Sequence, residues 1–210
     1  MKREKIRITT DRIEFFSDAV IAIIITLMIL EIKLPKIEGA TSTWDVIHQL
    51  ACLWPNLFAF IISFAILAVF WVNHHQFYKA VDRSDWKLLW YNMHFLFWCS
   101  LIPLSTALLA EHYDIPFINA LYGLNLLLAG GAFALMSGHA RRRELFIENL
   151  TSKIHKKIKL INFISIMMYV IAIFAGYISV YISLALFAIA PILHFFPQEV
   201  ELETHGTTAP

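Results

Sequence analysis

Read for runs of apolar residues, the chain divides into long hydrophobic stretches separated by short polar ones. A bilayer core of about 30 Å takes about 20 apolar residues per helix. On that measure the first span runs from Ile13 to Leu34 and is closed by Pro35, and the second from about Leu50 to Tyr78. The third runs from Trp86 to Ala110 and the fourth from Pro116 to Ser137. A polar segment from His139 to Lys159 follows, and then an uncharged apolar run from Leu160 to Phe196. That run is too long for a single span of about 25 residues at most, so it divides near Gly176–Ser179 into two short helices. The pattern predicts an all-α polytopic membrane protein with six transmembrane helices over residues 1–197 and a polar tail over 198–210.

Composition agrees with lipid as the solvent. The 210 residues are 59% hydrophobic and 16% charged, with a mean hydropathy of +0.64. Soluble domains are about 25% charged. The net charge of +1 says little, but its distribution along the chain does. Every Lys and Arg except Lys33 and Lys36 falls in the amino terminus, the second loop or the fourth loop. By the positive-inside rule a six-span chain then has both termini in the cytoplasm of a cell membrane. A signal peptide is rejected, because Ser17 and Asp18 interrupt the apolar approach and Glu38 takes a position that cleavage needs small. Cys52 and Cys99 lie in apolar runs and read as small buried hydrophobes rather than a disulfide framework.

Polar side chains inside a span are costly and mark function by default. The densest group opens the first helix: Arg12, Glu14, Ser17 and Asp18. At about 100° per residue, Ile23, Leu27 and Leu30 form one stripe, extended by Phe16 and Ala19. Asp18 lies about 140° from Ile23 and Ser17 about 120° the other way. The carboxylate face is therefore expected to look into the protomer and the stripe to be free for lipid, another helix or a symmetry axis. The plainer reading of such a stripe is simple packing.

The segment Arg12-Ile-Glu-Phe-Phe-Ser-Asp18, continued by Ala-Val-Ile-Ala-Ile-Ile-Ile-Thr-Leu and Pro35, resembles the first helix of the prokaryotic transmembrane protein 175 family, the lysosomal-type potassium channels. The resemblance implies a homotetramer with the first helices around a central pore, and a constriction at Ile23, Leu27 and Leu30. It also implies that Arg12, Ser17 and Asp18 belong to an interhelical polar network. For the partner of Asp18 the end of the second helix offers His74 first, with Trp71 or Asn73 nearby and Asn92 or His94 in reserve. His75 reads as an interfacial residue. The resemblance further implies potassium as the permeating ion, and no cofactor, metal or nucleic-acid partner is expected.

The chain has no Thr-Val-Gly-Tyr-Gly loop, and Ala175-Gly176-Tyr177 is no substitute for one. With no Gly or Pro from Arg12 to Leu34, the first helix keeps its carbonyls in helical hydrogen bonds. Discrimination then falls to side chains and the cost of dehydration, with Thr26, about 60° from Ile23, as the hydroxyl nearest the stripe. Glu31, Glu38 and Asp45 form either an attractive outer rim or an ordinary solvated one. A proton-coupled secondary transporter is the alternative, resting on intramembrane Asp and His. A haem protein finds only scattered histidines and no Cys-x-x-Cys-His. Ser17 and Asp18 point about 100° apart and cannot act as nucleophile and base, so no enzyme activity is expected.

Overall fold

In a computed structural model of the chain, the described residues are 9–32, 34, 37, 39, 41–147 and 152–194, without the side chains of 152–161. They form eight helices: α1 (Thr10–Leu30), α2 (Thr43–Ala51), α3 (Trp54–Ala80), α4 (Trp86–Ser100), α5 (Ile102–Glu111), α6 (Pro116–Arg142), α7 (Ser152–Ala175) and α8 (Val180–Ile192). Four helical stretches are long and apolar enough to cross a membrane: α1, α3, the joined α4–α5 and α6. The apolar parts of the last two helices, Asn162–Ala175 and Val180–Ile192, are shorter. Pro35, Lys33, Lys36, Glu38 and the 198–210 tail lie outside the described residues.

The helix ends follow local chemistry. α1 stops at Leu30 rather than Leu34, and the residue before a proline disfavours the α conformation. The second span does not begin at Leu50. Ser42 and Asp45 form a capping box that starts α2 as a separate helix, and α3 starts at Trp54 with Pro55 in its first turn, where a missing N–H costs nothing. The third span is one helical stretch from Trp86 to Glu111 with an irregular turn at Leu101. Pro103 has no N–H and its ring crowds the carbonyl of Cys99, so the chain restarts as α5. The turn between α7 and α8 is Gly176–Ser179, with the Ser179 amide donating to the Ala175 carbonyl at 2.8 Å.

The core is continuous and largely aromatic and aliphatic, from Ile21 and Met28 of α1 through Phe70, Phe95 and Tyr122 to Phe187. A few hydroxyls and amides tie the helices together within it. Tyr122 Oη and Ser63 Oγ lie 2.8 Å apart, the Thr106 hydroxyl donates to Ser63 at 2.8 Å, and Asn125 Nδ2 donates to Ser105 Oγ at 3.0 Å. Such bonds join helices that gain no hydrophobic driving force from surrounding lipid. α1 packs on α3, α4 and α5. At the end of α3 and α6 the chain closes on itself, the Asp82 amide donating to Leu145 O at 2.9 Å and the Ile147 amide to Ala80 O at 3.0 Å.

The start of α4 is fixed to the end of α6. Asp85 caps α4 by accepting the Leu88 amide at 2.7 Å, and the same carboxylate lies 2.9 Å from His139 Nε2. Burial works against the charged carboxyl, but the Leu88 N–H, His139 and Arg143 outweigh it and hold the pKa below the ordinary aspartate value. A carboxyl with a depressed folded pKa stabilises the fold above its unfolded value of about 3.9. That contribution is lost as pH falls through the folded value. Asp85→Asn should therefore lower thermal stability at neutral pH and flatten its decline in acid, as measured by melting temperature against pH in detergent.

Close packing of α6 on α7 and α8 depends on Gly123. A Cβ there would sit 2.7 Å from Ile173 Cγ1 and 2.9 Å from Phe187 Cζ. Gly123→Ala should cost about 1–3 kcal/mol through overpacking. Gly131→Ala, whose Cβ meets nothing within 4 Å, should hold or raise stability, and the same melting experiment compares the two.

Candidate functional site

α1 is divided lengthwise into three strips. Ile13, Ser17, Ile21, Ile24 and Met28 are buried and fall within about 80° of arc. On one flank lie Phe16, Ala19, Ile23, Leu27 and Leu30, all exposed in the single protomer, Ile23 at 57% and Leu30 at 74%. On the other flank lie the half-buried Glu14 and Asp18. The stripe and the carboxylates thus occupy opposite sides of one buried seam.

Ser17, fully buried, is the polar residue that points inward, and Asp18 sits at the α1–α3 edge instead. The difference follows from desolvation, because a hydroxyl is far cheaper to bury than a carboxylate. The Ser17 hydroxyl donates to the Ile13 carbonyl at 2.8 Å and accepts from Asn92 Nδ2 at 2.8 Å. Asn92 Oδ1 in turn lies 2.8 Å from His74 Nε2. This chain links α1, α4 and α3 through three fully buried side chains. His74 also stacks on Phe95, with centroids 5.7 Å apart.

The second polar group lies at the surface between α1 and α3. Trp71 Nε1 donates to Asp18 Oδ1 at 2.9 Å, and His75 Nδ1 lies 2.7 Å from Glu14 Oε1. The Trp71 and His75 rings stack at 5.7 Å with their planes 15° apart. So the favoured partner of Asp18, His74, does not meet it and bonds Asn92 instead, and the neighbouring Trp71 takes that place. His75, read as an interfacial bystander, is held by Glu14. Adjacent residues on a helix diverge by about 100°, and sequence alone does not reveal which of the two histidines faces α1. Asn92 bonds Ser17 and His74 rather than Asp18, and His94 accepts from Trp98 on its own helix at 3.3 Å. Arg12 is exposed and has no partner among the described residues.

Thr26 is exposed near the stripe. Its hydroxyl donates to the Ile23 carbonyl at 2.9 Å, which leaves the Oγ1 lone pairs free to accept. Asp45 is occupied at the start of α2. The backbone amide of Thr41 and the side chain and amide of Ser42 hold its pKa below the usual value. It remains ionised at the surface.

The sequence profile described as endosomal/lysosomal potassium channel TMEM175 matches residues 12–103, the segment that contains both polar groups. A potassium channel of Chryseobacterium sp. (strain P1-3) is 33% identical over 191 residues, covering 91% of this chain and 95% of that protein. The chain belongs to the TMEM175 family. Its place among the prokaryotic TMEM175 proteins is supported by a potassium channel of Streptomyces collinus, 31% identical over 204 residues, 95% of this chain and 97% of that one. The crystal structure of a lysosomal potassium-selective channel TMEM175 homologue from Chamaesiphon minutus superposes with a TM-score of 0.76 at 31% identity, covering 90% of this chain and 98% of that chain. As a TMEM175 protein with these apolar helices, the chain is a membrane protein.

Asn92 can be tested directly. Asn92→Leu leaves Ser17 and the His74 ring without their shared partner in a dry core. We expect a loss of about 1–3 kcal/mol in equilibrium unfolding in detergent, with Asn92→Gln recovering part of it.

Proposed function

We propose that this protein is a potassium-selective cation channel, a homotetramer of six-span protomers in the cell membrane with both termini in the cytoplasm. In this reading four copies of α1 surround a central pore. The observation that carries it is the exposed, unpartnered strip of α1 opposite the Glu14–Asp18 flank, in a family whose bacterial relatives are potassium channels. Ile23 forms the narrowest ring, with Leu27 and Leu30 as further layers. Rings of aliphatic side chains close a narrow pore by dewetting.

Coordination by backbone carbonyls has no place in this pore. α1 is unbroken from Thr10 to Leu30, so its carbonyls are committed to helical bonds. Among the described residues of α1, Thr26 supplies the hydroxyl beside the stripe, and its accepting oxygen is suited to a partly hydrated cation. The buried chain from Ser17 through Asn92 to His74, together with Trp71 and Asp18, holds α1 at the rotation that presents the stripe to the axis. Arg12 acts at the cytoplasmic end of the same helix. No residue is assigned a catalytic role, and no cofactor is required beyond the permeating ion.

The deciding experiment is potassium and sodium flux through the purified protein in liposomes, with bilayer recording of the same sample. Discrete potassium-preferring current steps are expected. Ile23→Ser should raise conductance and reduce the preference for potassium over sodium. Unchanged currents in that variant would remove Ile23 from the constriction, and saturable proton-linked uptake without current steps would make the protein a transporter.

A further inference from the structure

Glu14, Asp18 and His75 bring three potential metal-ligand atoms within 4.8 Å of one another, from two helices. We propose that they form a binding site for a divalent transition-metal ion of the zinc class, one per protomer, clamping α1 to α3. The site is separate from the permeation path of the proposed pore and does not depend on that reading.

Four features carry the assignment. The donor set is one imidazole and two carboxylates, which together suit zinc and its neighbours rather than potassium or magnesium. The two carboxylates repeat at i and i+4 on α1, a spacing at which like charges repel. Among the described residues no Lys or Arg pairs with either of them; their partners are His75 and the neutral Trp71 indole. The ligands are also held in place by their neighbours. Trp71 Nε1 fixes Asp18 Oδ1 and leaves Oδ2 free, while the Trp71 ring stacked on His75 sets the plane of the imidazole. Outer contacts of this kind orient ligands in established metal sites.

The geometry needs little adjustment. Zinc bonds of about 2.0–2.1 Å place tetrahedral ligand atoms about 3.3 Å apart. His75 Nδ1 and Glu14 Oε1, at 2.7 Å, open slightly, and the wider separations close by rotation of side chains that are only half-buried. On binding, the imidazole carries its proton on Nε2 and offers the Nδ1 lone pair to the ion. Water completes the coordination from the exposed side.

The test is equilibrium dialysis of the full-length protein in detergent against Zn²⁺ alone, with the bound metal measured by mass spectrometry. One saturable ion per protomer is expected. His75→Gln and Glu14→Gln should each weaken binding about tenfold or more. His94→Gln, which alters an exposed histidine bonded to its own helix, should leave it unchanged. Equal binding in all these proteins, or no saturable binding, would overturn the site. A measurement on the unaltered protein guards against misfolded variants: Zn²⁺ should protect His75, but not His94, from carbethoxylation by diethyl pyrocarbonate. Equal modification of His75 with and without Zn²⁺ would likewise refute the proposal.

Discussion

The rotation of α1 about its own axis decides what each of its faces can do, and the buried hydrogen bonds of Ser17 fix that rotation. Apolar contacts alone tolerate a helix turned by some tens of degrees, because one isoleucine packs much like the next. A hydroxyl sealed from water does not, since an unmade hydrogen bond there costs about 1–3 kcal/mol. Ser17 is held by the Asn92 amide, and Asn92 by the His74 ring. Both are anchored on other helices, so the seam of α1 is registered to α3 and α4 at one point. Everything else on α1 follows from helical arithmetic. Ile23, Leu27 and Leu30 emerge on one flank and Glu14 and Asp18 on the other.

Much of this was legible in the sequence because lipid imposes a simple rule. A spanning segment must satisfy its backbone internally and bury few charges, so apolar length located the helical stretches. Periodicity separated the aliphatic stripe from the carboxylates before any contact was known. What escaped was local. Pro103 interrupts the helix inside the third span, where apolar length alone hides it, and the Ser42–Asp45 box starts α2 in the polar segment ahead of the second span. Both signals stand in the residues, but neither changes the apolar length by which a span is recognised.

The polar partners of α1 were less legible for a different reason. The pair His74-His75 offers two imidazoles about 100° apart, and composition treats them as equivalent. Only the packing of α3 against α1 and α4 separates them. His74 turns into the dry core, between Phe95 and Tyr78, where a neutral amide is the affordable partner. His75 turns to the half-exposed edge, where Glu14 keeps some contact with water. Desolvation sorts the residues in the same sense on α1, with the hydroxyl of Ser17 inside and the carboxylate of Asp18 at the rim. An expectation that the most strongly polar residue of a span points inward overlooks this cost.

The division of α1 also bears on how a pore built from it would select. An unbroken helix presents side chains and not carbonyls, so in such a pore an ion at the level of Ile23 would meet a ring of aliphatic side chains and keep or shed its water on energetic grounds. Potassium holds its hydration shell less tightly than sodium, and a narrow aliphatic ring favours the ion that dehydrates more readily. The hydroxyl of Thr26 lies within one turn of that ring, with its proton committed to the Ile23 carbonyl. With its proton so committed, its oxygen would meet an ion in such a pore as an acceptor and not as a donor, which is the polarity a cation requires. The same back-bond ties the hydroxyl to the helix turn that carries the ring. In a pore of the kind proposed, a motion of α1 that moved Ile23 away from the axis would carry the Thr26 oxygen with it, because both sit on the same helical turn.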